Sequence, residues 1–460
     1  MGAREESVQP TADVGAIQAL AWGFADAGVS LVTGYPGFHA HELVDLCGGT
    51  FSVNERTAFG VAWGASAAGA RTAVAIKNVG LNDAADPFLN SIRLETPGGM
   101  VVVVFDDVEV AGSQCRQDSR PYFDLAQGLW FEPVDAPHAY WCAREAVVAS
   151  ERFGVPVVVR VTNPLLRSSG AVVRSPAAAG HTGFRRDPER LVAHPVNARP
   201  QERAAAVRQS RIAEYVESLY AWPDHVRGEL HITAGAAGGG ASTGEPDHVA
   251  VWTYPLPERR LGRAVSGARS VVVSELGGPF VSRAVRLLTG DTAVRTVDPA
   301  LGVDHSRGYR TTDAFETLFG ALRSFPGRVV CGDLGSYTMD PARTVDVCLC
   351  YGASVAVAAG CALAAREGTV FCVTGDAAFL HSGQSCLGEV AARGARVVVV
   401  VVDNGRAAST GGQRLPAELA VSPAIHCVTV RHADTTGEEY HRVLNRLTLA
   451  GGVSVLRVMC

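Results

Sequence analysis

Two residues in this sequence carry donor atoms at positions where an α/β sheet does chemistry. Asp376 follows the run FCVTG, and Asn404 follows a run of six valines, Val397 to Val402, that ends in Asp403. A segment of helical length separates the two runs. The order strand, turn, helix, strand, turn puts both residues at the carboxyl ends of neighbouring parallel strands, where open α/β sheets bind ligands. Asp376 offers a carboxylate, Asn404 a neutral amide oxygen, and the backbone carbonyl at Arg406 a third oxygen. Such a set suits Mg²⁺ that keeps a diphosphate and a water as its other ligands, and the local glycines let the backbone approach phosphate oxygens. Gly-Asp and Asp-Asn also end strands as ordinary turn chemistry, so this stretch by itself leaves both readings open.

The elements around it read as a layered α/β chain. Residues 14–27 have helical spacing, a strand runs into Gly34-Tyr35-Pro36-Gly37, and a small-residue helix starts at Glu55. GGMVVVVFDD is a continuous apolar run, as expected of a buried parallel strand. KNVGLNDAADPFLN reads as a loop, and VPVVVRVT as the last strand of a first domain, 1–180. Residues 166–205, rich in Pro, Arg and Ala, read as a linker. A smaller α/β domain, 181–325, has a Gly-rich loop at 235–245 that lacks the helix start of a phosphate fingerprint. The third domain, 326–460, holds Asp376 and Asn404. The fold class is therefore α/β, with two doubly wound domains flanking a smaller one.

Composition narrows the function. Of 460 residues, 47% are apolar and 19% charged, with a net charge of −5, so the chain builds large cores with little disorder. No basic stripe appears in the sequence, which speaks against nucleic acid and anionic membranes. No apolar run is long enough to span a bilayer, and the N-terminus lacks a signal-peptide core. The eleven cysteines are scattered without a C-x₂-C pair, so neither a disulfide framework nor an iron–sulfur spacing is expected. A cytoplasmic location follows.

Several ordered motifs cover most of the length: Thr33-Gly34-Tyr35-Pro36-Gly37, Asn54-Glu55, GASAAGAR, KNVGLNDAADPF and DDVEVAGSQCRQDSRPY. They continue with FRRDPERLVAHP, TYPLPE, CGDLGSYT, YGASVAVAAG, GDAAFLHSG and DNGRAASTGGQ. In this order and spacing the chain resembles the thiamine diphosphate (ThDP) enzymes, and among them the α subunit of indolepyruvate:ferredoxin oxidoreductase. The resemblance implies ThDP and Mg²⁺ as cofactors, with Asp376, Asn404 and Arg406 at the metal. It implies a pyrimidine-type first domain and a diphosphate-type third domain, with the cofactor between the first domain of one protomer and the third of another, hence a homodimer. Glu55 matches the glutamate that holds the aminopyrimidine in its imino form; as a carboxylate at a helix start it also suits ordinary capping. His381 matches a family histidine, read as a proton donor or cofactor contact, with a helix-start histidine bonding backbone as the structural alternative. The resemblance further places Gly34, Pro36, Gly37, Gly335, Tyr337, Gly375, Ala377, Asn404 and Thr410 against the cofactor; for the Tyr337 turn a core role serves equally.

The departures bear on the reaction. No cysteine-rich ferredoxin-like module follows the third domain, and the segment LRSFPGRVV stands where the family has Cys-Pro-Cys. Phe38-His39-Ala40-His41 replaces small polar residues in the loop that faces the reactive end of the cofactor, so His39 is expected to be catalytic and Phe38, His41 and Gln114 to meet substrate, with a surface or packing role as the structural alternative for Phe38, His39 and His41. Ala111, Gly112, Cys115 and Arg116 replace the usual His, Ser, Asn and Glu. The expected reaction is decarboxylation of a 2-oxo acid, an arylpyruvate such as indolepyruvate being favoured by analogy. The resulting enamine is then protonated or transferred to a second carbonyl or an acyl thioester, as in a decarboxylase or acyloin-type carboligase. The alternative is the catalytic subunit of a 2-oxo acid oxidoreductase that passes electrons to a separate partner chain.

Overall fold

A computed structural model describes residues 12–175, 183–222, 226, 228–238, 247–289, 293–299, 312–364, 369–408 and 411–460. The chain divides into two compact units, Met1–His305 and Ser306–Cys460.

The strands of the first unit are β1 Ala12–Gly15, β2 Leu31–Gly34, β3 Thr50–Phe51, β4 Thr72–Lys77, β5 Met100–Asp106, β6 Leu129–Phe131, β7 Val157–Thr162, β8 Ser169–Val172, β9 Glu229–Ala234, β10 His248–Val251, β11 Thr253–Tyr254, β12 Ser270–Ser274 and β13 Ala293–Val297. A seven-stranded sheet has the order β11-β6-β7-β5-β4-β2-β3, parallel except where β11 runs against β6. The run Met100–Asp106 divides its side chains by the two-residue period of a strand. Val101, Val103 and Phe105 enter one core, and Met100, Val102 and Val104 the other. Both faces are covered, which is why the sequence there is continuously apolar. A second, parallel sheet, β10-β9-β12-β13, forms the smaller layer.

The second unit holds β14 Val329–Gly332, β15 Val347–Cys348, β16 Val370–Gly375, β17 Val397–Asp403, β18 His426–Arg431 and β19 Val453–Met459. They form one parallel sheet in the order β15-β14-β16-β17-β19-β18. The valines again split, with Val398, Val400 and Val402 in one core and Val397, Val399 and Val401 in the other. Each buried valine contributes about 1.5–3 kcal/mol, so this strand anchors the unit.

Three segments differ from the sequence reading. KNVGLNDAADPFLN is two helices, Asn78–Asp83 and Ala85–Arg93. Its polar residues suggested a loop, but Leu81, Phe88 and Ile92 recur at helical spacing and are buried, and Pro87 sits in a first turn, where it costs no hydrogen bond. The 166–205 linker contains β8, which pairs antiparallel with β1, and the helix Pro188–Leu191. The run HVAVWTYPLP, whose alternation suits a single strand, breaks at Trp252: β10 stays in the small sheet and β11 crosses to the large one. The helix Glu316–Arg323 packs in the second unit.

Candidate functional site

In the second unit, β16 and β17 are adjacent and parallel, with Gly375 beside Val402. Asp376 and Asn404 therefore emerge side by side at the carboxyl edge. Asp376 is 2% exposed. Its Oδ2 accepts the Asn404 and Gly405 amides at 2.9 and 2.6 Å, and its Oδ1 accepts Ala377 N–H at 2.7 Å. Asn404 Oδ1 accepts the Arg406 amide at 3.0 Å. Burial, with the Asp403 carboxylate beside it, pushes the Asp376 carboxyl up to about 6. Asp403 has its own cation, Arg457 Nε at 2.5 Å. Among the described residues no Lys or Arg pairs with Asp376, so the charge this turn lacks is positive. An ionised carboxylate offers about four lone-pair sites and amides fill three of those on Asp376. A hard cation with oxygen ligands fits what remains.

Tyr337, buried in a 3₁₀ turn, accepts the Gly375 amide and donates to the Leu334 carbonyl, both at 3.1 Å. A Cβ on Gly335 would meet its ring at 2.5 Å, and one on Gly375 its hydroxyl at 3.2 Å, so both glycines are needed for this backbone approach. Asp333, also buried, accepts from Gly352 N–H, Thr374 Oγ and Ser354 Oγ and ties this strand end to the next helix. His381 lies in a π-helical segment, Phe379–Gly383, a distortion frequent at functional sites. It is 8% exposed; its Nδ1 meets Ser382 Oγ at 2.5 Å and its ring stands edge-on to Tyr351. Thr410 lies outside the described residues.

In the first unit, Glu55 is the first residue of the helix Glu55–Ala67 and is 7% exposed. The capping role belongs to its neighbour: Asn54 Oδ1 accepts Thr57 N–H at 2.8 Å. A Cβ on Gly80 would fall 2.5 Å from Glu55 Oε1, so the glycine makes room for the glutamate.

Gly34 ends β2, and Pro36 and Gly37 are buried in the turn after it. His39 has a left-handed backbone, φ 53°, a strain that non-glycine residues hold only where the surroundings require it. Its Nδ1 meets Glu42 Oε1 at 2.7 Å, and its ring meets Phe38 edge-on at 4.6 Å. His41 Nδ1 faces the Gly37 carbonyl at 3.3 Å. Gln114 is exposed in the loop after β5.

The structure brings Asp376, Ala377, Asn404, Arg406, Gly375, Gly335 and Tyr337 into one cluster, and Gly37, Phe38, His39 and His41 into another. Two neighbours of the second cluster escaped the sequence reading. Lys77, at the end of β4, packs against Gly37, and its Nζ pairs with Asp107 at 2.7 Å and approaches Ser113 Oγ at 3.4 Å. Asn78 donates to Asp107 at 2.6 Å. The signal was present as polar residues following the apolar runs TAVAI and MVVVVF. Glu42 also escaped it, three residues from His39.

Residues 333–446 match the family of the thiamine pyrophosphate enzyme C-terminal TPP binding domain. An indolepyruvate oxidoreductase subunit IorA of Archaeoglobus fulgidus is 27% identical over 96% of this chain and 82% of its own length. Subunits of the same name from Thermococcus kodakarensis and Methanothermobacter thermautotrophicus are 26% and 28% identical, over 86% and 85% of this chain and 75% and 74% of theirs. Among solved structures, a 2-oxoglutarate:ferredoxin oxidoreductase from Magnetococcus marinus aligns with 63% of this chain and 62% of its own at 16% identity, with a TM-score of 0.48.

Proposed function

We propose that this chain, which carries a thiamine pyrophosphate-binding C-terminal domain and is related along most of its length to indolepyruvate oxidoreductase subunits, is the catalytic subunit of a 2-oxo acid oxidoreductase. It would act on an arylpyruvate-like acid and pass electrons to a separate partner chain. The observation that carries the reading is the buried Asp376 carboxylate, without a cationic partner among the described residues, beside Asn404 at adjacent strand ends. Asp376, Asn404 and the Arg406 carbonyl would hold Mg²⁺ and through it a diphosphate; Gly335, Tyr337, Gly375 and Ala377 would shape the cradle. Thiamine diphosphate, when bound, supplies a carbon nucleophile for the 2-oxo carbonyl and a sink for the electron pair released with CO₂. Glu55 would hold a proton against the pyrimidine ring, and His39 and His381 would move protons at the substrate. These 460 residues contain no C-x₂-C pair, so the electrons would go to a centre outside them.

A second reading keeps a specific observation on its side. The strained His39, held by Glu42 beneath Phe38, would put an oriented imidazole at the loop facing the reacting end. That favours protonation of the decarboxylated product, or its ligation to a second carbonyl, over oxidation. Anaerobic incubation with ThDP, Mg²⁺ and a panel of 2-oxo acids, with and without an electron acceptor, separates the two. Acceptor-dependent loss of 2-oxo acid, with acyl thioester formed when coenzyme A is present, is expected. Aldehyde or acyloin formed equally without acceptor would replace the first reading with the second.

A further inference from the structure

The first unit also gathers positive charge that carboxylates answer only in part. A groove of about 560 Å³ is lined by Arg152, Arg190, Arg203, Arg208 and Arg211, against Glu95 and Glu151. Both carboxylates are engaged: Glu95 accepts from Arg190 at 2.9 and 3.1 Å, and Glu151 from Arg71 at 2.6 and 3.0 Å. Among the described residues, none of Arg152, Arg203, Arg208 and Arg211 pairs with a carboxylate. The excess is local, because the whole chain has 41 basic and 46 acidic residues.

Three of these guanidiniums are held by neutral groups, while Arg203 is exposed. Arg152 lies 5.3 Å from the Phe153 ring and 5.1 Å from Tyr215, and Arg211 lies 5.8 Å from Phe153. Arg208, 8% exposed, donates Nη2 to the Ile92 carbonyl at 2.6 Å, at the carboxyl end of the helix Ala85–Arg93. Arg203, Val207 and Arg211 recur every four residues along the helix Ala198–Ser218, and Arg208 is three before Arg211, so like charges share one face at a cost to the helix. Rings and carbonyls fix the side chains without using up their charge, an arrangement that lowers the cost of binding an anion.

We propose that this groove binds a small oligophosphate ligand, a nucleotide or a free di- or triphosphate. Planar guanidiniums pair with phosphate through two parallel hydrogen bonds, and the volume is that of a site for a nucleotide-sized molecule. The groove is not the cofactor site of the same unit. Glu95 precedes β5 and Arg152 precedes β7, at the amino edge of the sheet, whereas Gly34, Lys77 and Asp106 end their strands at the carboxyl edge. Six or seven strand residues put about 20 Å between the two edges.

The test is calorimetric titration of the full chain, loaded with one equivalent of ThDP and Mg²⁺ per chain to fill a diphosphate site elsewhere, with ATP, ADP and pyrophosphate at low and high salt. Oligophosphate binding that weakens with salt, and weakens at least about tenfold in the Arg203→Glu/Arg211→Glu double variant, is expected. ATP binding more tightly than pyrophosphate assigns the site to a nucleotide; equal affinity assigns it to the phosphates alone. Both variant side chains are exposed, and circular dichroism melting checks their fold, with Arg203→Gln/Arg211→Gln as the milder pair. No binding of any probe, or unchanged affinity in a folded variant, overturns the proposal. Turnover is not the readout, so the result is independent of the reaction assigned above.

Discussion

At the scale of single residues, Asn54 takes the capping role that a carboxylate at a helix start can also fill. Asn54 caps the helix, so capping does not account for the buried Glu55 carboxylate. A further partner of that side chain can be tested directly. If that partner is the cofactor, Glu55→Gln should keep the circular dichroism spectrum and ThDP binding while losing nearly all turnover; wild-type turnover would refute the role. Gly80→Ala should act in the same direction, because the added methyl enters the space of Glu55 Oε1. Asp376 sets a pH dependence. Its carboxyl is raised from 3.8 to about 6, chiefly by burial. Between those values the folded chain binds a proton the unfolded chain has lost, so in metal-free protein this group lowers stability as pH rises through the window. A cation favours the ionised form and must displace the proton below about 6. The rise in melting temperature on adding Mg²⁺ and ThDP should therefore grow from about pH 5 to about pH 7.5, and Asp376→Asn should abolish the trend. A pH-independent rise in the wild type would remove Asp376 from the metal site.

At the scale of elements, the first sheet is pinned by charge buried inside it. Arg160, in the middle of the apolar strand β7 and fully buried, donates to Asp106 at 2.6 Å, Glu132 at 2.5 Å and Asp118 at 3.3 Å. Burial pushes the Asp106 carboxyl up to about 6 even so, while Arg160 and Arg120 outweigh burial at Asp118 and hold it below the usual range. Removing the cation from such a cluster leaves uncompensated carboxylates. Arg160→Leu should destabilise the fold by about 3–5 kcal/mol in urea unfolding; a loss below about 1 kcal/mol would show that the cluster relaxes by protonation instead. In the second unit the helix Gly437–Ala450 begins with a capping box between Thr436 and Glu439, worth about 1 kcal/mol.

At the scale of the molecule, the small sheet is joined to the large one by the same network. Arg120 reaches Glu275 at 2.9 Å and the Leu276 carbonyl at 2.5 Å, Tyr254 donates to Glu132 at 2.6 Å, and β11 joins β6. The motif Gln117-Asp118-Ser119-Arg120 thus serves in part as a structural joint. If the chain forms a homodimer whose proposed sites each draw Glu55 from one protomer and Asp376 from the other, variants at the two positions should complement each other. Mixing Glu55→Gln and Asp376→Asn chains after dissociation should then restore about a quarter of wild-type turnover, since half the dimers are mixed and each has one intact site. No recovery in confirmed mixed dimers would mean that each chain builds its own site.

The sequence by itself determined the layers and the strand-end turns. Short, β-branched unbroken runs such as Val397–Val402 favour strands buried on both faces, and parallel connection then brings Asp376 and Asn404 to one edge. It did not determine what depends on packing between distant segments. The helices in KNVGLNDAADPFLN form because Leu81, Phe88 and Ile92 find a core that local polarity conceals. The role of Asp118 and Arg120 as a joint depends on Glu275, more than a hundred residues away. No basic stripe is written along the chain, yet folding brings Arg152 beside Arg203, Arg208 and Arg211. Charge acts through distance in space, which only the fold sets. The same holds for the turn at Asp376: sequence named its donors, and the tertiary structure, by giving Arg457 to Asp403 and no described cation to Asp376, decided which carboxylate stays without a basic partner among the described residues.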